Sequence, residues 1–181
     1  MYNYTLSFIA GLIAMLCACS SYFVKKKAIF LILQGAAIIF LAISCLFNVQ
    51  YYACVSYAIA LTRVLIYFSF EKKGKAPNMW LRSVFALATI VAYLIINVII
   101  LKDAKPFDLM LVAANCVYAF VFGIRDLRLL RLLFLAPTAL CIVYFVLCHA
   151  TPFVIISYAF EFVANVVAVF LYQKRKKAIK I

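Results

Sequence analysis

The stretch YYACVSYAIALTRVLIYFSF, residues 51–70, is long and apolar enough to cross a lipid bilayer as a helix. A single cation, Arg63, interrupts it in its second half. An arginine at that depth is costly and needs a partner or a water-filled cavity. One other charged side chain, Glu161, lies comparably deep in an apolar stretch, TPFVIISYAFEFVANVVAVFLY, residues 151–172. Both stretches contain the letters SYA, which indicates that they are related.

The composition predicts an all-α membrane protein whose surroundings are the lipid bilayer. Of the 181 residues, 70% are hydrophobic, which is more apolar surface than a soluble domain of this size can bury. Several apolar runs approach the roughly 20 residues that a transmembrane helix needs. Only four Gly and four Pro are present, and no stretch resembles a linker, so the sequence predicts one domain.

Hydropathy predicts seven transmembrane helices and a basic tail. The predicted spans are residues 5–24, 28–47, 51–70, 79–101, 107–124, 129–147 and 152–172, and the tail is residues 173–181.

The basic residues predict the orientation of these spans. Fifteen of the eighteen Lys and Arg lie around the ends of spans one, three, five and seven, which places those ends in the cytoplasm. We therefore expect the N-terminus outside and the C-terminus inside. The net charge of +13 reflects this topology, so no nucleic-acid partner is expected. A homo-oligomer is compatible with the sequence.

A shift of 101 residues superposes the first three spans on the last three without a gap. SYA at residues 56–58 then falls on SYA at residues 157–159. Because three is odd, a fourth span is needed for both triplets to face the same way. We therefore expect two parallel three-helix repeats, residues 5–70 and 107–172, joined by a linker helix, residues 79–101.

This three-plus-one-plus-three pattern resembles the SWEET, PQ-loop and PnuC-type transporters. More narrowly, three stretches resemble the YgjV family of bacterial inner-membrane proteins: PFDLM at residues 106–110, LTRVL at 61–65 and ANVV at 164–167. The resemblance implies a SWEET-like fold in the bacterial inner membrane and says little about the substrate. In SWEET-type facilitators two asparagines from the third and seventh helices line the pocket. Asn165 falls near one of these positions, but Arg63 stands where the other is expected, which favours an anionic or zwitterionic solute.

Polar side chains at helical spacing predict one binding site between the triplets. Positions three and four apart share a helix face. A parallel repeat turns the polar faces of the third and seventh spans toward one axis, away from lipid. The candidate solute-binding residues are Arg63, Glu161, Asn165, Ser56, Ser157, Tyr67 and Asn115.

Several alternatives stay open for these residues. Glu161 lies about 4.5 Å outward of Arg63 by helical rise. It is then either a counter-ion or proton-coupling acid beside a solute-binding Arg63, or half of a structural ion pair. Asn165 and Asn115 either line the pocket or form helix–helix hydrogen bonds. Pro137 in the sixth span is either a hinge or a static kink.

The sequence favours a transporter over an enzyme. It has no phosphate loop, no HExxH, no nucleophile elbow and no paired carboxylates, and its seven Cys show no metal-ligand spacing. We expect no cofactor, no metal and no catalytic residue. The first hypothesis is a small-solute transporter or facilitator with a central site. The alternative is a non-transporting accessory or structural protein of the inner membrane, with a tightly packed centre.

Overall fold

The computed structural model describes residues 4–47, 51–102, 105–148 and 152–178, and all regular structure in these ranges is helical. The all-α prediction is confirmed. The described ranges contain seven α-helices: α1 (Tyr4–Ser21), α2 (Lys27–Phe47), α3 (Tyr51–Lys72), α4 (Met79–Tyr93), α5 (Asp108–Val121), α6 (Leu127–Leu147) and α7 (Pro152–Ala178). A π-helical segment, Leu94–Ile100, continues α4 without a break.

The helix ends differ from the predicted spans by three residues or more in three places. Helices α1 and α5 stop three residues early, because the chain turns before the basic residues rather than at them. Helix α7 continues through residue 178, so most of the predicted tail is helical. Side-chain caps define two of the starts. The Asn78 side chain accepts from the Leu81 N–H at 3.0 Å and the Asp126 side chain from the Arg128 N–H at 2.9 Å.

Over the part of the chain that the structure describes, five helices are long and apolar enough to cross a membrane, namely α2, α3, α4 with its π segment, α6 and α7. The apolar stretches Thr5–Ser21 of α1 and Asp108–Val121 of α5 have fewer than 18 residues. Large apolar side chains such as Leu46, Leu65 and Phe170 point outward and are more than half exposed. Outward apolar side chains are what a lipid-facing surface requires, so the fold indicates a membrane protein.

Six of the helices form a closed ring in the order α1, α2, α3, α5, α6, α7. Helix α4 packs against α3 and α5 at the place where these two meet. Small residues allow close approach at the buried faces, for example Ala14 on α1 and Ala114 and Ala119 on α5.

Two hydrogen bonds show that α3 and α5 run in the same direction. The Arg63 guanidinium donates to the Asn115 carbonyl at 3.2 Å, and the Tyr67 hydroxyl donates to the Ala119 carbonyl at 2.8 Å. Moving four residues along α3 therefore moves the contact four residues along α5. Parallel odd-numbered helices agree with the predicted topology.

The predicted gap-free shift of 101 residues is wrong by one residue for part of the chain. Helices α2 and α6 both have 21 residues and begin 100 residues apart, at Lys27 and Leu127. Helices α3 and α7 begin 101 residues apart, at Tyr51 and Pro152. The connection between α6 and α7 is one residue longer than that between α2 and α3, which changes the offset.

Two arginines bind backbone carbonyls just beyond the C-terminal ends of α1 and α5. Arg131 on α6 donates to the Val24 carbonyl at 2.6 Å, and Arg82 on α4 donates to the Gly123 carbonyl at 2.9 Å. Helix ends leave such carbonyls without intrahelical partners. The two arginines therefore satisfy groups that are costly to leave unpaired in an apolar environment.

Candidate functional site

A cavity lies inside the ring and is lined by residues of α2, α3, α5, α6 and α7, together with Phe122 just beyond α5. The space inside it that water-sized molecules can occupy is about 60 Å³. Four predicted site residues line it: Ser56, Arg63, Asn115 and Glu161. Helices α1 and α4 supply none of the described lining residues.

Arg63 is 2% exposed and is held by neutral groups. Besides its hydrogen bond to the Asn115 carbonyl, its guanidinium carbon lies 5.1 Å from the centre of the Phe122 ring. Its Nε has no hydrogen-bond partner, and neither has the Oγ of Ser56, a lining residue about two turns earlier on α3. The cavity wall therefore carries a cation and a hydroxyl with unused hydrogen-bonding capacity.

Glu161 is 9% exposed and lies on α7, another wall of the same cavity. Its Oε1 accepts a 2.7 Å hydrogen bond from the Tyr22 hydroxyl, at the end of α1. Gln34 of α2 also lines the cavity and donates to the Ser21 hydroxyl at 2.9 Å. Helices α1 and α2 thus orient polar groups next to the Glu161 carboxyl group.

Arg63 and Glu161 form no ion pair, although they line one cavity. Within the described ranges, no carboxylate oxygen lies within 4.0 Å of a nitrogen of the Arg63 guanidinium. An ion pair does join Lys27 and Glu71 at 3.5 Å, between the start of α2 and the end of α3. The structure therefore does not contain the structural ion pair between Arg63 and Glu161 that was one of the two interpretations.

Three predicted site residues lie off the cavity lining. The Asn165 amide donates to the Arg131 carbonyl at 2.9 Å, so it forms the helix–helix hydrogen bond that was its alternative interpretation. The Tyr67 hydroxyl is occupied by the Ala119 carbonyl. Ser157 is buried outside the lining, one residue before Tyr158, which lines the cavity. Successive side chains on a helix point about 100° apart, so Ser157 and Tyr158 face different sides of α7.

Pro137 lies inside α6 and is buried there. Helix α6 continues on both sides of it from Leu127 to Leu147. Its role as a hinge stays a prediction.

Two tyrosines that the site prediction omitted meet across the cavity. The hydroxyls of Tyr57 on α3 and Tyr158 on α7 lie 3.2 Å apart, and both residues line the cavity. They are the tyrosines of the two SYA triplets, 101 residues apart. The shared triplet was the signal that could have identified them.

Aromatic rings form an end wall of the cavity that the sequence did not reveal. The centre of the Phe134 ring lies 4.9 Å from that of Phe122, 4.7 Å from that of Tyr118 and 5.9 Å from those of Tyr22 and Phe30. We call these five residues the aromatic end wall. It lies beside the turns that follow α1 and α5, so it separates the cavity from that end of the ring.

The fold and the site together indicate a helical membrane protein with a buried, charged central cavity. Within the described ranges, no group of three His, Cys, Asp or Glu side chains is placed to hold a metal ion. The chain matches no protein-family model, no curated protein and no solved structure. The resemblance to the YgjV family stays a prediction.

Proposed function

We propose that this chain is a small-solute transporter or facilitator of the bacterial inner membrane, with its binding site in the central cavity. The solute is anionic or zwitterionic. The observation that carries the proposal is the cavity itself, lined by a buried Arg63 and a buried Glu161 that do not pair with each other. An intramembrane ionisable residue beside a cavity is typical of a solute or ion pathway.

The proposed architecture is seven transmembrane helices in two parallel triplets, α1–α3 and α5–α7, with α4 as the linker. Equal lengths of α2 and α6 support it, as does the contact of α3 with α5 alongside that of α1 with α7. If α1–α3 is exchanged with α5–α7, the contact of α3 with α5 becomes the contact of α7 with α1. Access to the site then alternates as one triplet rocks against the other.

The alternative, a non-transporting accessory protein, requires a packed centre with its charges paired. The open cavity and the unpaired Arg63 argue against it. Structural roles account well for Asn165 and Arg131, whose hydrogen bonds join helices, but not for unused hydrogen-bonding groups on a cavity wall.

The test begins with binding, because the solute is unidentified. The purified full chain is melted against a metabolite library, and each compound that raises the melting temperature is then measured for uptake into proteoliposomes. We expect anionic or zwitterionic compounds among the hits. Arg63→Met and Glu161→Gln should reduce uptake about tenfold or more, the effect of losing one charge-assisted interaction.

Arg125→Gln and Glu71→Gln are the matched controls, since each removes the same charge from a residue outside the cavity lining. Uptake by the controls should equal that of the unmodified protein. The proposal fails if no compound binds, or if the hits bind and cross the membrane equally well in the Arg63→Met and Glu161→Gln variants.

Reporter fusions test the orientation. A fluorescent protein fused after Lys75 should fold in the cytoplasm, whereas alkaline phosphatase fused after Lys102 should be active in the periplasm. The reverse pattern would overturn the proposed topology.

A further inference from the structure

The two charged residues of the cavity lack charged partners. Arg63 contacts a carbonyl and an aromatic ring, and its Nε has no partner. Glu161 receives a hydrogen bond from a tyrosine. A guanidinium is permanently charged, and a buried charge without a counter-charge is strongly disfavoured. Arg63 therefore favours an anionic solute group, and the Glu161 carboxyl group favours a hydrogen-bond donor such as an ammonium group.

The positions of the two residues separate these solute groups. Arg63 projects from α3 and Glu161 from α7, and they do not reach each other. A solute with only an anionic group would leave Glu161 with the Tyr22 hydroxyl as its donor, and a purely cationic one would leave the Arg63 guanidinium without a counter-charge. A zwitterion that reaches from one wall to the other matches both.

Much of the cavity lining is aromatic, and it includes Phe122, whose ring centre lies 5.1 Å from the guanidinium carbon of Arg63. Six of the sixteen described lining residues are Phe or Tyr. Phe122 and Phe134 of the aromatic end wall lie here, and Tyr118 joins them at 4.7 Å from Phe134. Aromatic faces and edges favour flat apolar rings through offset stacking and edge-to-face contact. Such a surface discriminates a ring from an aliphatic chain of similar size.

We propose that the solute is a small zwitterion that carries a flat ring. Its carboxylate binds the Arg63 guanidinium, its ammonium group binds the Glu161 carboxylate, and its ring packs on Phe122, Phe134 and Tyr118. This assignment rests on the proposed transport function and names the class of its substrate.

The experiment uses the full chain in lipid nanodiscs and measures dissociation constants for matched probes. L-Tryptophan, L-tyrosine and L-phenylalanine carry both charges and a ring. Indole-3-propionate lacks the ammonium group, tryptamine lacks the carboxylate, and L-leucine lacks the ring. We expect at least one aromatic amino acid to bind about tenfold more tightly than each probe that lacks one feature.

Variants then assign each charge to its wall. Arg63→Met should remove the advantage of L-tryptophan over tryptamine, because the site then has no cation to bind the carboxylate that only L-tryptophan carries. Glu161→Gln should remove its advantage over indole-3-propionate. Glu71→Gln should leave all the dissociation constants unchanged. The comparison of probes on the unmodified protein remains decisive even if one variant fails to fold.

The outcomes separate this inference from the proposed function. If indole-3-propionate or L-leucine binds as tightly as every aromatic amino acid, the assignment of the solute as a ring-bearing zwitterion is wrong. The proposal that the chain transports a solute would still stand. If the aromatic amino acids fail to bind but library compounds of another class bind and are taken up, the same conclusion follows. If nothing binds, both proposals fall.

Discussion

Replacing Tyr22 by phenylalanine removes one oxygen atom from a fully buried ring and keeps its shape. That oxygen donates the 2.7 Å hydrogen bond to Glu161. A hydrogen bond to a charged group contributes about 1.5–3 kcal/mol, and a neutral pair about 0.5–1.5 kcal/mol. In a chain of this size, 1 kcal/mol shifts the melting temperature by roughly 2–4 °C. With an ionised Glu161, we expect Tyr22→Phe to lower it by about 3–12 °C.

The assay is a double-mutant cycle of Tyr22→Phe and Glu161→Met, which removes the acceptor oxygen, followed by thermal melting in one detergent. Because each substitution removes the same interaction, the two effects should not add. We expect an interaction energy of about 1 kcal/mol or more, above the roughly 0.3–0.5 kcal/mol scatter of independent sites.

Tyr118→Phe is the control for the loss of a buried tyrosine hydroxyl. Its hydroxyl lies 3.0 Å from that of Thr138, a neutral partner, so its removal should cost less than the removal of the Tyr22 hydroxyl. The reasoning is refuted if Tyr22→Phe melts like the unmodified protein, or if the cycle is additive. Either result would mean that Tyr22 does not hold Glu161 at the cavity wall.

Two further predictions concern helix packing, and both are read from melting temperatures. Gly123→Ala should lower stability by about 1–3 kcal/mol, because the added Cβ would lie 2.6 Å from Cζ of Arg82 and displace its hydrogen bond. Gly35→Ala is its control, since there the Cβ would meet Val64 at an ordinary 3.5 Å, and it should be neutral or stabilising; equal losses would contradict the packing at Gly123. Lys27→Met should destabilise more than the double variant Lys27→Met/Glu71→Gln, because the single change leaves the Glu71 charge unpaired; a double variant less stable than the single one would contradict this.

Helix number and type were predictable from the sequence because apolar run length is a strong signal. The predicted ends at residues 24 and 124 were three residues late, since basic residues mark loops but not the point at which the helix ends. The π-helical segment after Tyr93 had no sequence signal that we recognised. Such a segment depends on side-chain packing rather than on composition.

The site was predictable in part, for a similar reason. Helical spacing placed Ser56, Arg63 and Glu161 on the inner faces of α3 and α7, where the cavity is. Spacing does not tell which inner residues face a cavity and which face a neighbouring helix, so both interpretations of Asn165 stayed open until the structure showed its hydrogen bond to Arg131. Tyr22 was missed because its role depends on a contact between α1 and α7, 139 residues apart in the chain.

The arginine-bound carbonyls just beyond α1 and α5 bear on how deep in the bilayer these helix ends can lie. Helix α5 has 14 residues, which at 1.5 Å per residue gives about 21 Å. The hydrocarbon core of a bilayer is about 30 Å thick, so the turn after α5 lies within it if the helix starts at the opposite interface. Non-helical backbone is tolerated at such depth only when protein groups satisfy it. In the proposed seven-span topology, the hydrogen bonds of Arg131 to Val24 and of Arg82 to Gly123 satisfy the backbone just beyond α1 and α5 at such a depth.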